Sequence, residues 1–394
     1  MKLKTIIYLT VLYCLVSCTN NQVEELIETE TQVLSQKESD YLDYGIYWFN
    51  TATESTKGYN EKTKQVIDVS ENFYNPSKPT VIYFHGWQLG SSGADYEREN
   101  FLFTTEDNVE INTIEAWKEK GWNVAIFYWN QFADELELKN AEAKIWSTQG
   151  GEAMRYKLND GTYSELQAPN NSLGTEAFTQ LSSLLATNTS NNIRFVGHSL
   201  GNQLASHTAF LFSEAVKNNT ISANIMPKRL ELLDPFWSKG AKEYLGDNNN
   251  DGNNDWNGEC VKSCIKQMIE RNNLAVTWYD SSPIANFGVG DSNESLKDLV
   301  AFQSERYWYL SMIGVANKHV DVVHNYFWSF SFDAPKEVTV NWFKRRTETG
   351  NVAASASTSL KRIKEMMGDQ YVWDQVEGRY TSTPKDDKYE LKNF

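Results

Sequence analysis

Residues 194–205 read RFVGHSLGNQLA, and this stretch decides the fold of the 394-residue chain. It begins within an apolar run, IRFV (193–196), that is typical of a buried strand. It leads into a run whose apolar positions lie three and four apart, as in a helix (200–219). Between the two runs, the pattern G-x-S-x-G places a glycine two positions before and two positions after Ser199. Small residues are needed there because a sharp turn from strand to helix crowds the backbone while it lifts the serine hydroxyl above the sheet edge. The stretch therefore predicts a reactive Ser199 beside the positive end of a helix.

The same alternation of strand and helix extends along the chain. Strands are predicted for five apolar runs: TVIYF (80–84), NVAIFYW (123–129), IRFV (193–196), RLELL (229–233) and LAVTWY (274–279). Helices are predicted for three runs: INTIEAWKEKG (111–121), GTEAFTQLSSLLATN (174–188) and LGNQLASHTAFLFSEAVKNN (200–219). Strands that are apolar throughout are typical of a sheet covered on both faces. The sequence thus predicts an α/β fold with a mostly parallel, doubly wound sheet.

Three long polar stretches interrupt this alternation, at residues 86–110, 130–173 and 238–272. Loops of this length within a domain are usually functional, so we expect them to form lids or walls of a site. Residues 41–394 exceed the commonest domain size, but they fit one large α/β domain with long loop insertions.

The composition excludes some partners. The formal net charge is −15, which disfavours nucleic acid and anionic membrane surfaces. Aromatic residues make up 13% of the chain, which suits a pocket for an acyl chain, although a large core explains the same fraction equally well.

The N-terminus has the features of an export signal. MKLK is basic, the next twelve residues are apolar, and LVSC ends at Cys18. A small residue followed by cysteine resembles the lipobox of bacterial lipoproteins. The resemblance implies a signal peptide over residues 1–17, acylation of Cys18 and a polar tether over 18–40. The protein would then be exported and anchored by lipid, at the outer membrane or surface of a bacterium, with the anchor as its only membrane contact. An ordinary signal peptide with an incidental cysteine is the alternative.

Four cysteines occur in the chain, and the export signal accounts for Cys14 and Cys18. The remaining two, Cys260 and Cys264, are expected to form a disulfide because the protein is predicted to be exported. The closed loop would be short, so strain could prevent the bond. Two cysteines are too few for a structural zinc site.

Three motifs occur in an order that resembles the lipase branch of the α/β-hydrolase family, the pancreatic and lipoprotein lipases. GHSLG (197–201) is similar to the nucleophile turn of that family, YFHGW (83–87) to its oxyanion turn, and LELLDPF (230–236) to the strand end that carries its acid. The resemblance extends from about residue 80 to about residue 330. It implies that Ser199 is the nucleophile, that Asp234 is the acid, and that the backbone N–H groups of Trp87 and Leu200 form the oxyanion hole. Glu231, inside the same strand, is the other candidate acid.

The base must be a histidine that follows the acid in this fold. Only His319 and His324 do so. A helical face is predicted by the spacing of four apolar residues: Val320, Val323, Phe327 and Phe330. This register places His324 within a helix and His319 in the loop just before it. A loop position favours His319, since a catalytic imidazole must reach over the sheet edge. His324 remains the alternative.

The stretch DNNNDGNND (247–255) resembles the start of a calcium-binding loop. Four side chains would supply oxygen ligands: Asp247, Asn249, Asp251 and Asp255. The end of the pattern does not match, because Glu259 comes one residue late. A structural Ca²⁺ site and a flexible loop that binds nothing are both open interpretations. The serine mechanism itself requires no cofactor.

The sequence therefore predicts a serine hydrolase of carboxylic esters that acts through an acyl-enzyme. The family resemblance implies acylglycerols or phospholipids as substrates, whereas the fold alone does not fix the substrate. A carboxylesterase for small esters is the nearest alternative. A lipoprotein that keeps the fold and only binds at the surface is an alternative of another class. The sequence gives no indication of the oligomeric state.

Overall fold

The computed structural model describes residues 41–93, 98–248, 250–286, 288–311, 314–368 and 371–393. The predicted signal peptide (1–17), the tether (18–40) with its lipidation site Cys18, and Asn249 lie outside the described residues. The predictions made for them therefore stay predictions.

The described residues form eighteen strands: β1 (Gly45–Phe49), β2 (Ser55–Lys57), β3 (Tyr59–Asn60), β4 (Gln65–Val66), β5 (Thr80–Phe84), β6 (Leu102–Thr104), β7 (Glu110–Asn112), β8 (Asn123–Tyr128), β9 (Tyr156–Lys157), β10 (Tyr163–Ser164), β11 (Ile193–His198), β12 (Arg229–Leu233), β13 (Ala275–Asp280), β14 (Ala301–Ser304), β15 (Lys336–Val340), β16 (Arg346–Val352), β17 (Tyr371–Glu377) and β18 (Lys388–Asn393). They also form nine α-helices: α1 (Glu115–Glu119), α2 (Asn130–Ala133), α3 (Leu138–Trp146), α4 (Leu173–Leu185), α5 (Gly201–Lys217), α6 (Asn257–Asn272), α7 (Glu294–Lys297), α8 (Val315–Ser329) and α9 (Leu360–Met366). Four short 3₁₀ turns are Ala223–Ile225, Glu243–Leu245, Pro283–Asn286 and Pro384–Asp386.

One twelve-stranded sheet organises these elements, in the order β16-β15-β18-β17-β14-β13-β12-β11-β5-β8-β1-β2. The seven strands from β17 to β8 in this order are parallel to one another, and antiparallel pairs lie at both ends. The predicted fold class, an α/β fold with a mostly parallel, doubly wound sheet, is confirmed. All five predicted strands occur in the parallel part.

Apolar side chains cover both faces of the sheet, as the apolar strands predict. In β5, Ile82 and Phe84 join a cluster that includes side chains of α4, α5 and α6. Val81 and Tyr83 point the other way, into a cluster with α1, α8 and α9. Because each side chain of this kind gains about 1.5–3 kcal/mol when it is fully buried, helices on both faces fix the strand ends that carry the site.

The structure contains elements that the sequence patterns did not reveal. Helix α3 lies in the expected loop 130–173. It buries the charged side chains Glu142 and Lys144, and charged residues at buried positions interrupt the apolar spacing by which a helix is recognised in a sequence. Helix α6 lies in the expected loop 238–272. Strands β14 to β18 follow the last predicted strand. Within the described ranges, no helix is long and apolar enough to cross a bilayer.

Candidate active site

Ser199 lies at a strained turn between β11 and α5. Its φ is 52°, in the left-handed region that residues other than glycine rarely adopt. Neighbouring backbone leaves no room beside it. A Cβ on Gly201 would lie 2.1 Å from the Phe84 carbonyl oxygen, and a Cβ on Gly197 would lie 2.5 Å from the Asn202 Cα. The two glycines of the motif are therefore required by contact with the adjacent strand and helix.

Asp234 follows β12 at the same edge of the sheet. It is buried, and its φ of 39° is also left-handed. Its carboxylate accepts hydrogen bonds from the N–H groups of Ser281 and Ser282, each at 3.3 Å, and from the Ser282 hydroxyl. These donors come from the segment that follows β13. Neighbouring parallel strands thus bring the carboxylate and its donors together, because their carboxyl ends meet at one edge.

His319 contacts this carboxylate. Its Nδ1–H donates to Asp234 Oδ2 at 2.7 Å, and the ring is buried. The bond leaves Nε2 as the nitrogen that can accept a proton. The Ser199 hydroxyl and the His319 ring, both within the described ranges, share no hydrogen bond in this structure. Such bonds are often long before substrate binds.

The predicted position of His319 in a loop is wrong. Helix α8 begins at Val315, so His319 is the fifth residue of the helix. The apolar face from which the start was read begins only at Val320. Ala316, one turn before Val320, continues that face, but the polar residues Asn317 and Lys318 between them concealed the earlier start.

His324 lies elsewhere on α8. Its ring stacks on Phe103 with centroids 4.6 Å apart, and burial lowers its pKa to about 4. Glu231, the other candidate acid, forms an ion pair with Arg229 inside the sheet. Of the residues considered as acid and base, Asp234 and His319 are the pair in contact.

His198 fixes the position of His319. Its Nε2–H donates to the His319 carbonyl oxygen at 2.8 Å, and the two rings are 4.5 Å apart. The Ser281 hydroxyl donates to the carbonyl of Lys318 at 2.9 Å. Burial, followed by the charge of His319, keeps the pKa of His198 well below its usual value, so this ring is neutral. Its place beside Ser199 in the motif was the only sequence signal for this positioning role.

The turn that follows β5 packs against the serine. A Cβ on Gly86 would lie 2.8 Å from Ser199 Cβ and 3.4 Å from Ser199 Oγ. Within the described part of the chain, no protein group accepts a hydrogen bond from the backbone N–H of Trp87 or of Leu200. Both N–H groups therefore remain available to an oxygen beside Ser199. The Trp87 indole is fixed separately, by donating to the Glu135 carbonyl at 2.7 Å.

Two side-chain networks hold this turn in place. His85 Nδ1–H donates to the Gly86 carbonyl at 2.9 Å, and its Nε2 accepts from the Trp129 N–H at 3.0 Å. Burial lowers the pKa of His85 to about 3, so it is a neutral brace and not a base.

The second network centres on Glu99. The Tyr83 hydroxyl donates to Glu99 at 2.6 Å, and Gln88 donates to the other carboxylate oxygen. Burial raises the pKa of Glu99. No local sequence pattern marks Glu99 or Gln88, because their role depends on contacts between distant segments.

Gly86→Ala tests the close approach of this turn to Ser199. We expect kcat for a soluble ester to fall about 10²–10³-fold, since the new methyl group must displace the turn that carries the Trp87 N–H. Steady-state kinetics with p-nitrophenyl acetate measures the loss. Gly93→Ala is the matched control, because among the described residues a Cβ there meets only the Gly90 carbonyl, at 3.5 Å, an ordinary contact. Equal activity of the two variants would contradict the packing of the turn on Ser199.

Asp280 ends β13 near Asp234. Burial, with a further contribution from the Asp234 charge, raises the pKa of Asp280 to about 7. The folded protein therefore holds this proton more tightly than the unfolded chain does. The contribution of Asp280 to the free energy of unfolding is therefore fully present below about pH 4, and it is lost as the pH rises through 7. Relative to wild type, we expect Asp280→Asn to raise the free energy of unfolding by about 3 kcal/mol more at pH 8 than at pH 5. Urea denaturation at both pH values measures this gain, and a pH-independent difference would contradict it.

The predicted disulfide between Cys260 and Cys264 is wrong, because both are free thiols. They lie one turn apart on α6, where Cβ atoms are about 5–6 Å apart. A disulfide requires about 3.5–4.5 Å. Cys260 Sγ instead lies 3.9 Å from Asp255 Oδ2, and burial raises the pKa of Cys260 to about 12.

The carboxylates of the loop 247–255 accept hydrogen bonds from other residues of the same loop. Asp247 accepts from the N–H groups of Asp251 at 3.1 Å and Gly252 at 2.9 Å, and Asp255 accepts from Asn248 Nδ2 at 2.9 Å. Within the described residues, which omit Asn249, no group of three or more His, Cys, Asp or Glu side chains could hold a metal ion. Calcium binding by Asp247, Asn249, Asp251 and Asp255 stays a prediction.

No family model and no curated protein match the chain in sequence. Among solved structures, it is similar to a thermophilic esterase from the Planctomycetes species Thermogutta terrifontis, with 10% identity over 57% of this chain and 68% of that one and a TM-score of 0.26. An esterase of Pyrobaculum calidifontis has 11% identity over 76% of this chain and 90% of that one, with a TM-score of 0.29. The esterase Est22 has 11% identity over 82% and 84% of the two chains, with a TM-score of 0.25. These similarities carry no argument about substrate, so the function is inferred from the site itself.

Proposed function

We propose that the protein hydrolyses carboxylic esters through an acyl-enzyme. The observation that carries this proposal is the 2.7 Å hydrogen bond between His319 and Asp234 at the sheet edge where Ser199 occupies its strained turn. A nucleophile, a base and a carboxylate that orients the base are the parts that acyl transfer requires.

Each group has a defined step. Ser199 Oγ attacks the ester carbonyl while His319 Nε2 takes its proton, and the carbonyl oxygen becomes an oxyanion beside the N–H groups of Trp87 and Leu200. Asp234 keeps Nδ1 protonated and stabilises the imidazolium. The imidazolium then donates its proton to the leaving alcohol. Water repeats the sequence on the acyl-enzyme and releases the acid.

A fluorophosphonate probe tests the nucleophile. We expect one equivalent to attach to Ser199, as located by peptide mass spectrometry, with parallel loss of p-nitrophenyl acetate hydrolysis. Ser199→Ala should do neither. If the wild-type protein remains unlabelled, the enzyme proposal fails, and a non-catalytic surface lipoprotein becomes the better explanation.

The substrate is the second part of the proposal. Resemblance to the lipase branch supports acylglycerols or phospholipids, whereas a small-ester carboxylesterase needs the same catalytic groups. Hydrolysis of p-nitrophenyl esters from acetate to dodecanoate, together with emulsified triacylglycerol, separates them. A kcat/KM that rises with chain length supports the lipid substrate. A maximum at acetate or butyrate with no triacylglycerol hydrolysis supports the small-ester enzyme.

We further propose that Cys18 carries the lipid that anchors the exported protein. The support is the sequence LVSC after an apolar run of export-signal length. Metabolic labelling with palmitate in a bacterial host tests this, with Cys18→Ser as the matched control. Equal incorporation by both proteins would exclude lipidation at Cys18.

A further inference from the structure

The hairpin between β15 and β16 carries two aromatic side chains that are highly exposed to solvent. Trp342 is 94% exposed and Phe343 is 80% exposed, the largest exposures among the large hydrophobic side chains that the structure describes. Lys344 and Arg345 follow directly. We call these four residues, Trp342 to Arg345, the aromatic–basic tip.

The tip is a closed turn. The Asn341 N–H donates to the Arg345 carbonyl at 3.0 Å, and the Lys344 N–H donates to the Asn341 carbonyl at 2.9 Å. The Asn341 side chain accepts from the N–H groups of Phe343 at 3.0 Å and Arg345 at 2.9 Å. These four bonds fix the backbone, so the aromatic side chains stay in solvent without the turn having to unfold.

The positive charge of the tip is not neutralised locally. Arg346, the next residue, forms an ion pair with Glu377 at 2.9 Å. Among the described residues, no carboxylate lies within 4.0 Å of the charged nitrogens of Lys344 or Arg345. The sequence KRR (344–346) is also the chain's only run of three consecutive basic residues.

We propose that the aromatic–basic tip docks onto the surface of an anionic phospholipid bilayer. Tryptophan and phenylalanine favour the boundary between headgroups and acyl chains, and adjacent cations bind the phosphates around them. The overall charge of −15 opposes such contact only weakly at the tip, because charges farther away than about 8 Å are screened at physiological ionic strength.

The shape of the tip favours a bilayer over a protein partner. A convex turn enters a deformable surface, whereas a protein would need a matching pocket. Two aromatic side chains present about 300–500 Å², less than the roughly 800 Å² per partner of a stable interface between two copies of the chain. The neighbouring edge strand β16 is polar and exposed, so it offers no apolar extension.

This contact would be additional to any lipid at Cys18, and it does not depend on the proposed ester hydrolysis. The test therefore uses the full chain with Cys18→Ser. Cosedimentation compares vesicles of phosphatidylcholine alone with vesicles that contain 30% phosphatidylglycerol. We expect Trp342→Ser/Phe343→Ser to weaken binding to the anionic vesicles at least about tenfold. Lys344→Gln/Arg345→Gln should also weaken it about tenfold or more, and should abolish the preference for anionic lipid.

Control variants remove exposed groups elsewhere on the surface. Tyr41→Ser/Leu166→Ser removes apolar side chains that are 64% and 74% exposed, and Lys139→Gln/Lys361→Gln removes two exposed cations. We expect the controls to bind as the parent does, and all variants to hydrolyse p-nitrophenyl acetate equally. Unchanged vesicle binding by both tip variants would overturn the proposal. So would a dimer that the tip variants dissociate without any change in vesicle binding, since the partner would then be a second copy of the chain.

Discussion

His319→Ala is expected to lower kcat for p-nitrophenyl butyrate about 10⁴–10⁶-fold, whereas His324→Ala should keep kcat within about threefold of wild type. Both residues lie on α8, five positions apart, and both are largely enclosed by protein. They differ in their contacts: His319 donates to Asp234 at 2.7 Å, whereas His324 stacks on Phe103. Only the ring held by Asp234 can take the serine proton and remain stabilised as an imidazolium.

The pair of variants also separates catalysis from folding. His324→Ala removes a packed ring, so it should destabilise the protein as much as His319→Ala or more. Circular dichroism and thermal unfolding of both proteins supply this comparison. Wild-type kcat in His319→Ala together with inactive, folded His324→Ala would assign the base to His324 and would refute the proposed mechanism.

Asp234→Asn is expected to lower kcat about 10⁴-fold with little change in KM. An amide at this position can donate to His319 Nδ1, which favours the tautomer with its proton on Nε2. That nitrogen could then no longer accept the proton from Ser199. The buried carboxylate also loses the charge that stabilises the imidazolium, so the effect falls on the transition state more than on substrate binding.

Asp280→Asn is the matched control for this loss. Asp280 ends the neighbouring strand and is half-buried, but no hydrogen bond joins its carboxylate to His319 within the described residues. We expect its kcat to stay within about tenfold of wild type at pH 7. A comparable loss in both variants would indicate that the total negative charge at this edge matters, and not the bond from Asp234.

The elements closest to the site could be read from the sequence because their signals are local. Strand β12 was predicted at its exact bounds, and the glycines around Ser199 indicated the sharp turn before any contact was known. Each of these signals depends on residues within a few positions of one another, where steric rules of the backbone apply.

Signals that depend on distant contacts were missed. Helix α3 was not recognised because Glu142 and Lys144 face the interior, where they bind Ser238 and Glu135 from other segments. The disulfide was predicted from the number and spacing of thiols, but helical geometry keeps the two Cβ atoms too far apart.

By itself, the sequence determined the α/β class, the turn at Ser199 and Asp234 as the strand-end carboxylate, and it limited the base to two histidines. Only the tertiary structure decided that His319 lies against Asp234 and His324 against Phe103, and that His198 holds His319 through its carbonyl. The physical reason is that local patterns fix backbone conformation. Which side chains meet at the sheet edge depends instead on how strands pair and where a helix begins, and these elements are far apart in the chain.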